Sequence, residues 1–294
     1  MRYSKPITEL IKQRFSCRSY VEKPIEEEKR QLLESFLSPP QTGPFGTSAR
    51  FKLVVATEED RRALRGLGTY GYIKGATGFI IGAVGNSQKD LEDFGYLMER
   101  IVLFATDIDL GTCWLGGSFR KSSFAKRISA SSGESVPAVS SVGYVSDTRY
   151  TADTAIRRSA GSRRRFSWEH MFFHSEFGAP ISREDAGAYA VPLEMIRLGP
   201  SASNKQPWRT IKDGDTWHFY LQRTRGYREA WTIKLLRVAD IQRLDMGIAM
   251  SHFELTANEL GLRGRWEVNE PEIERPDELT EYTASWIGQG VKPS

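Results

Sequence analysis

Pro200-Ser201-Ala202-Ser203-Asn204-Lys205-Gln206-Pro207-Trp208 is the most specific stretch of the chain. Prolines constrain both ends, and the short polar side chains between them offer hydroxyl, amide and backbone N–H groups to a flat ligand. A capped helix end is the plainer reading, because Leu193 to Leu198 before it reads as helix. Far upstream, Arg14-Phe15-Ser16-Cys17-Arg18-Ser19-Tyr20 follows an amphipathic run that reads as helix from Ile7 to Phe15. On a helix end, arginines four apart with a serine between them would sit within one turn, a grip suited to phosphate. Each stretch occurs once, and the two lie in opposite halves.

Between them the chain repeats itself. At a constant offset of 152 (266 − 114), Asp93, Gly95, Met98, Leu103, Ala105, Leu110 and Trp114 recur as Asp245, Gly247, Met250, Leu255, Ala257, Leu262 and Trp266. Phe94, Leu97, Met98, Ile101, Val102 and Ala105 in the first copy hold helical spacing, as do Met246, Ala249, Met250, Phe253 and Ala257 in the second. So broad an apolar surface predicts two helices buried between other elements. Around them, Ile25 to Phe36 reads as a further helix, and Phe51–Ala56, Phe79–Val84, Ala138–Val145 and Trp217–Leu221 read as strands. Pro39 to Pro44 reads as a loop. The class expected is α+β, with halves 1–174 and 175–294 meeting near His174 to Ala186.

Composition narrows the function. A chain of 294 residues with 39% hydrophobic and 27% charged content is long and apolar enough to fold as a globular protein. Its longest uncharged apolar stretch, Thr77 to Val84, is too short to span a bilayer. Met1 to Lys5 lacks the apolar core of a secretory signal, so a cytoplasmic protein is expected. Two cysteines, Cys17 and Cys113, exclude a disulfide framework and a cysteine zinc site. His170, His174, His218 and His252 show no ligand spacing with carboxylates, so no metal is expected. The net charge of +4 is compatible with anionic ligands. The run Arg157 to Arg165 is either a solvated loop or a phosphate-binding cluster. It lacks the interleaved aromatics of a nucleic-acid platform, and neither nucleic acid nor a membrane is an expected partner.

Taken together, the two quoted stretches resemble the signatures of the nitroreductase family of FMN oxidoreductases. Leu110-Gly111-Thr112-Cys113-Trp114-Leu115-Gly116-Gly117-Ser118-Phe119 is similar to that family's Gly-Gly turn, and Arg165-Phe166-Ser167-Trp168-Glu169-His170-Met171 fits its late basic segment. The resemblance covers nearly the whole chain and points to the fused subgroup labelled "TM nitroreductase". Ordinary members are short chains whose homodimer brings one stretch from each subunit to every site. Having both stretches in one chain implies a nitroreductase-like fold of two tandem repeats forming an intramolecular pseudo-dimer.

By that resemblance Arg14, Ser16 and Arg18 hold the FMN phosphate and ribityl chain, and Arg163 and Arg165 complete the pocket. Lys74 reaches the flavin pyrimidine. Leu115, Gly116 and Gly117 present backbone to flavin N5, the atom that accepts hydride. Pro200, Ser201, Ala202, Ser203 and Asn204 contact the flavin from the second half, while Gln206 and Trp208 brace their loop. No catalytic side chain is required, since the cofactor carries the hydride. Cys113 reads as a small packing residue inside the buried turn.

The symmetry-related site is dismantled: Pro39-Pro40-Gln41-Thr42-Gly43-Pro44-Phe45-Gly46 lacks the serine and asparagine, and Arg263-Gly264-Arg265-Trp266-Glu267 lacks the paired glycines. One FMN per chain is therefore expected, in a monomer sufficient for the site that leaves self-association open. The function implied is ping-pong transfer from NAD(P)H to a nitroaromatic, quinone or similar acceptor. The alternatives are a flavin enzyme with another substrate, dehalogenase-like, and a flavin-binding or redox-sensing protein without turnover.

Overall fold

The computed structural model describes residues 3–57, 60, 62–146, 164–227 and 239–289. In chain order its elements are α1 (Ile7–Gln13), α2 (Glu27–Leu37), β1 (Gln41–Thr42), β2 (Ser48–Val55), β3 (Gly78–Gly85), α3 (Asp90–Asp107), β4 (Gly111–Leu115), α4 (Lys121–Arg127), β5 (Glu134–Ser135) and β6 (Val139–Gly143). There follow α5 (Trp168–Met171), β7 (Phe172–His174), α6 (Arg183–Ala186), α7 (Ala190–Leu198), β8 (Trp208–Asp213), β9 (Thr216–Gln222), α8 (Ile241–Glu259), β10 (Gly264–Glu267) and β11 (Thr280–Gly288).

Two sheets share one plan. The first runs β1-β2-β3-β6-β4, with β5 attached to β3, and the second runs β7-β8-β9-β11-β10. In each, a hairpin feeds a long helix, an edge strand follows, and a last strand returns to lie between that edge and the hairpin. All pairings are antiparallel except β7 beside β8. Strand β7, just before the junction expected near His174, pairs with β8 and so belongs to the second sheet.

The two repeat helices, α3 and α8, pack against each other and each also packs on the sheet of its own half. Apart from Asp90 and Arg100, α3 is buried along its whole length, as its apolar surface required. Strand β3 is buried on both faces. Its Ile80 and Val84 join the central core, while Phe79, Ile81 and Ala83 join a smaller cluster with Phe124 of α4. The central core also takes Trp217, Phe219 and Leu221 from β9, so it spans both halves.

Charged groups inside the helix pair are each matched. Arg243 of α8 donates to Glu92 at 2.6 and 2.9 Å. Asp93 accepts from the Phe45 and Thr47 amides at 2.9 and 2.8 Å. Such pairing offsets the cost of taking these groups out of water. Among the described residues no helix is long and apolar enough to cross a membrane, and no cluster could hold a metal ion.

Candidate functional site

A cleft of about 1580 Å³ opens where the two halves meet. Strand β4 and the turn after it form one wall, and the first turns of α8 with the loop after α7 form another.

The segment after α1 is extended rather than helical. The helix stops at Gln13, and Arg14 already has φ −61° and ψ 132°. Ser16 then bridges Thr112 in parallel, Cys17 donates to the Thr112 carbonyl at 2.8 Å, and Ser19 bridges Lys74. The two-residue alternation of an extended chain, not a helical turn, therefore places Arg14, Ser16 and Arg18 along one side. All three line the cleft, while Cys17 between them is buried. The helix end expected here is extended chain instead, because its pairing partner lies about a hundred positions away.

The second stretch follows α7 as expected, and Pro200 to Lys205 line the cleft. Ser203, Asn204 and Gln206 have φ of 49°, 55° and 48°, uncommon for residues other than glycine. Four contacts hold that conformation. Both carboxylate oxygens of Asp245 accept from the Ala202 amide at 3.1 and 3.2 Å, and Ser201 Oγ accepts from the Gln206 amide at 2.8 Å. Gln206 Oε1 accepts from the Phe166 amide at 2.9 Å, and Arg165 Nη1 donates to Asn204 Oδ1 at 3.0 Å. Gln206 and Trp208 are buried and brace the loop.

Beneath the cleft lies a buried polar chain. Arg14 Nε is 3.7 Å from Glu99 Oε1, with 6% and 0% of the side chains exposed. Glu99 Oε1 also faces His252 Nε2 at 2.9 Å, and its Oε2 accepts from Trp114 Nε1 at 2.7 Å. His252 Nδ1 faces the Met195 carbonyl at 3.0 Å. Both ring nitrogens thus face oxygen atoms of the interior. Arg14, from the first half, is tied in this way to both long helices.

The cationic end of the cleft is built for an anion. Burial pulls the Arg14 guanidinium below its ordinary value, opposed by Glu99. Burial lowers Arg165 as well, and the nearby positive charge of Arg14 adds to that effect. Among the described residues, buried Arg14 Nε has no hydrogen-bond partner. Two desolvated guanidiniums held close together fit a phosphate better than they fit each other.

The Gly-Gly segment needs a correction. Gly111 to Leu115, Cys113 included, is strand β4 and not a turn; Cys113 is buried there, and the turn begins at Gly116. Leu115, Gly116 and Gly117 all line the cleft. A Cβ on Gly116 would stand 2.8 Å from Ile241 Cδ1, so the first turn of α8 comes close to this turn. Lys74 is exposed and is not among the lining residues; it contributes backbone bonds to Tyr20 and Arg18 instead. Arg163 lies outside the described residues.

Sequence reasoning passed over Asp245, Glu99 and His252 as site residues. Their signal was available: ionisable side chains inside helices apolar all round must serve some partner.

The α+β fold and the shared cleft define a protein of nitroreductase type. The chain belongs to the family described as "Putative TM nitroreductase", which matches residues 6–257. No curated protein matches it. Among solved structures it is similar to "a putative nitroreductase" from Thermotoga maritima MSB8, at 20% identity and a TM-score of 0.59, over 98% of this chain and 95% of that one. A nitroreductase with bound FMN from Bacteroides fragilis NCTC 9343 is 17% identical, with a TM-score of 0.38, over 50% of this chain and 92% of that one. A second FMN complex, from Desulfovibrio desulfuricans, is 21% identical, with a TM-score of 0.37, over 51% of this chain and 95% of that one.

Proposed function

We propose that the protein is an FMN-dependent oxidoreductase that passes electrons from NAD(P)H to a nitroaromatic, quinone or similar acceptor, with one FMN per chain. The observation that carries this reading is the meeting, on one cleft, of Arg14, Ser16, Arg18 and Arg165 with Pro200 to Asn204 from the far half of the chain. FMN-bound members among the solved nitroreductases support the cofactor.

Arg14, Ser16, Arg18 and Arg165 would hold the phosphate and sugar chain, and the strained Ser201–Asn204 loop would meet the ring. Asp245 locks that loop through the Ala202 amide, and Glu99 fixes Arg14 from below. Leu115 to Gly117 would lie along the ring without presenting an acid or base. When bound, FMN supplies two-electron acceptance and donation, so the protein's part is to bind, orient and exclude water.

Internal duplication is part of the same reading. It is supported by the common strand order and by matching loop locks: Asp93 holds Phe45 and Thr47 as Asp245, 152 positions on, holds Ala202. The degenerate half would then bind no flavin, and a monomer would suffice.

Purification tests this directly. A yellow protein should release one equivalent of FMN on denaturation and oxidise NADH or NADPH when an acceptor is present. Release of FAD, or of two flavins, would refute the one-site reading. Flavin release without nicotinamide oxidation would favour a redox-sensing role.

A further inference from the structure

The strap that brings Arg165 to the cleft is fastened to the loop it faces. Hydrogen bonds join residues 164–170 to residues 204–209 along their length. Arg165 Nη1 donates to Asn204 Oδ1 at 3.0 Å, Asn204 Nδ2 donates to the Arg164 carbonyl at 2.9 Å, and the Phe166 amide donates to Gln206 Oε1 at 2.9 Å. The far end of the strap is held by His170 of α5, whose Nε2 stands 2.8 Å from Nη2 of Arg209 in β8. The Phe166 ring packs on the same imidazole, with ring centroids 4.7 Å apart.

The contact between His170 and Arg209 has a fixed polarity. A guanidinium carries donors and no acceptor, so Arg209 donates and Nε2 must keep its lone pair. His170 is therefore neutral while the contact is made. Arg209 is 8% exposed, and its other hydrogen bonds run from Nη1 to the Gln206 and Trp208 carbonyls at 3.1 and 2.7 Å. Burial brings its guanidinium down to about 10, which leaves it a cation at neutral pH. Protonating the exposed imidazole would set two cations at hydrogen-bond distance. The charged groups around α5 give no relief among the described residues. Arg164 and Arg165 add positive charge, Arg183 lies over the Trp168 ring at 4.2 Å, and Arg197 is paired with Glu194. Glu169 is exposed and forms no ion pair. Burial, and then the charge of Arg209, hold the imidazole below its ordinary value.

We propose that His170 is a pH-sensitive positioning residue for the cofactor site. Neutral, it takes the Arg209 hydrogen bond and keeps Arg165 and the Asn204 loop together at the cleft; protonated, it releases the strap and weakens FMN binding. The inference rests on the flavin reading of that cleft. Because the folded imidazole lies below its unfolded value of about 6.5, the contribution of the contact is full above that value and is lost as pH falls below it.

Fluorescence titration of apo-protein with FMN between about pH 8 and about pH 5 tests it. The parent is compared with His170→Gln, which keeps an acceptor oxygen for Arg209 and cannot ionise, and with His170→Ala, which keeps no acceptor. The FMN phosphate also gains a proton at about pH 6, but it does so alike for all three proteins. Across the range the affinity of the parent should fall severalfold more than that of His170→Gln. At the alkaline end His170→Ala should bind severalfold more weakly than His170→Gln. The ring signal of His170 in NMR, assigned by its loss from the glutamine variant, should titrate below about 6.5. A parent-to-glutamine affinity ratio constant with pH, alanine and glutamine variants that bind alike, or an imidazole that titrates at or above its ordinary value each overturns the proposal. Failure of the parent to take up FMN at any pH would refute the flavin reading, and the cofactor role with it, while the ring titration would still decide the contact itself.

Discussion

Gly95 and Gly247 face each other's helix across the crossing of α3 and α8. A Cβ on Gly95 would overlap the Leu244 carbonyl, and one on Gly247 would overlap the Glu92 carbonyl. The contacts are reciprocal at the repeat spacing, since Leu244 stands 152 positions after Glu92 just as Gly247 does after Gly95. Such reciprocity is what the proposed duplication requires, since an isologous two-fold interface pairs each residue with its counterpart.

Gly247→Ala should therefore destabilise the protein by about 1–3 kcal/mol, the scale of overpacking against groups that cannot move aside. Helix propensity alone would favour alanine by about 1 kcal/mol, so the sign is diagnostic. Denaturant unfolding reads it, and a variant as stable as the parent would mean the helices are not in backbone contact.

Arg14→Ala should weaken FMN binding by roughly 1.5–3 kcal/mol, the scale of a lost hydrogen bond to a charged group. Fluorescence titration of the apo-variant measures this. Unchanged affinity would make Arg14 a structural partner of Glu99 only.

Glu99→Ala removes the common acceptor of Trp114 and His252 and the countercharge of Arg14, all in the interior. Breaking such a buried pair costs about 3–5 kcal/mol. Glu99→Gln keeps an oxygen for one donor and should lose less. If the alanine variant unfolds within about 0.5 kcal/mol of the parent, the chain of contacts contributes little.

Asp245 carries a pH dependence. Its carboxyl is raised by burial against the pull of the Ala202 amide. Because the folded value lies above the unfolded one, its contribution to stability is full below the ordinary carboxylate range and is lost as pH rises through the raised value. Asp245→Asn retains an oxygen for Ala202 and cannot ionise. The stability of the parent relative to this variant should therefore fall as pH rises from acid to neutral, read as the difference in Tm. A difference constant with pH would mean that Asp245 titrates normally.

Much of this was legible in the linear chain. The 152-residue repeat placed both long helices to within a few residues, because an all-apolar helical pattern has no stable position except between other layers. The strands around Phe51, Phe79, Ala138 and Trp217 also lie where alternation put them, with the ends shifted by up to three residues. Strands β8, β10 and β11 were not read, since their identity comes from pairing with distant partners and not from local pattern.

The sequence by itself singled out the two stretches that meet at the cleft, because Arg14, Ser16, Arg18 and Pro200 to Asn204 are chemical choices written in local order. Tertiary structure alone decided how they act. Pairing with Thr112 turned a supposed helix end into an extended edge, and the bridge to Ser19 kept Lys74 at the surface, away from the cleft. The packing of α3 on α8 put Glu99 against His252 and carried Asp245 beneath the Ala202 loop. These contacts join positions far apart in the chain, and only a closed core holds such partners at fixed distance against the entropy of the unfolded chain.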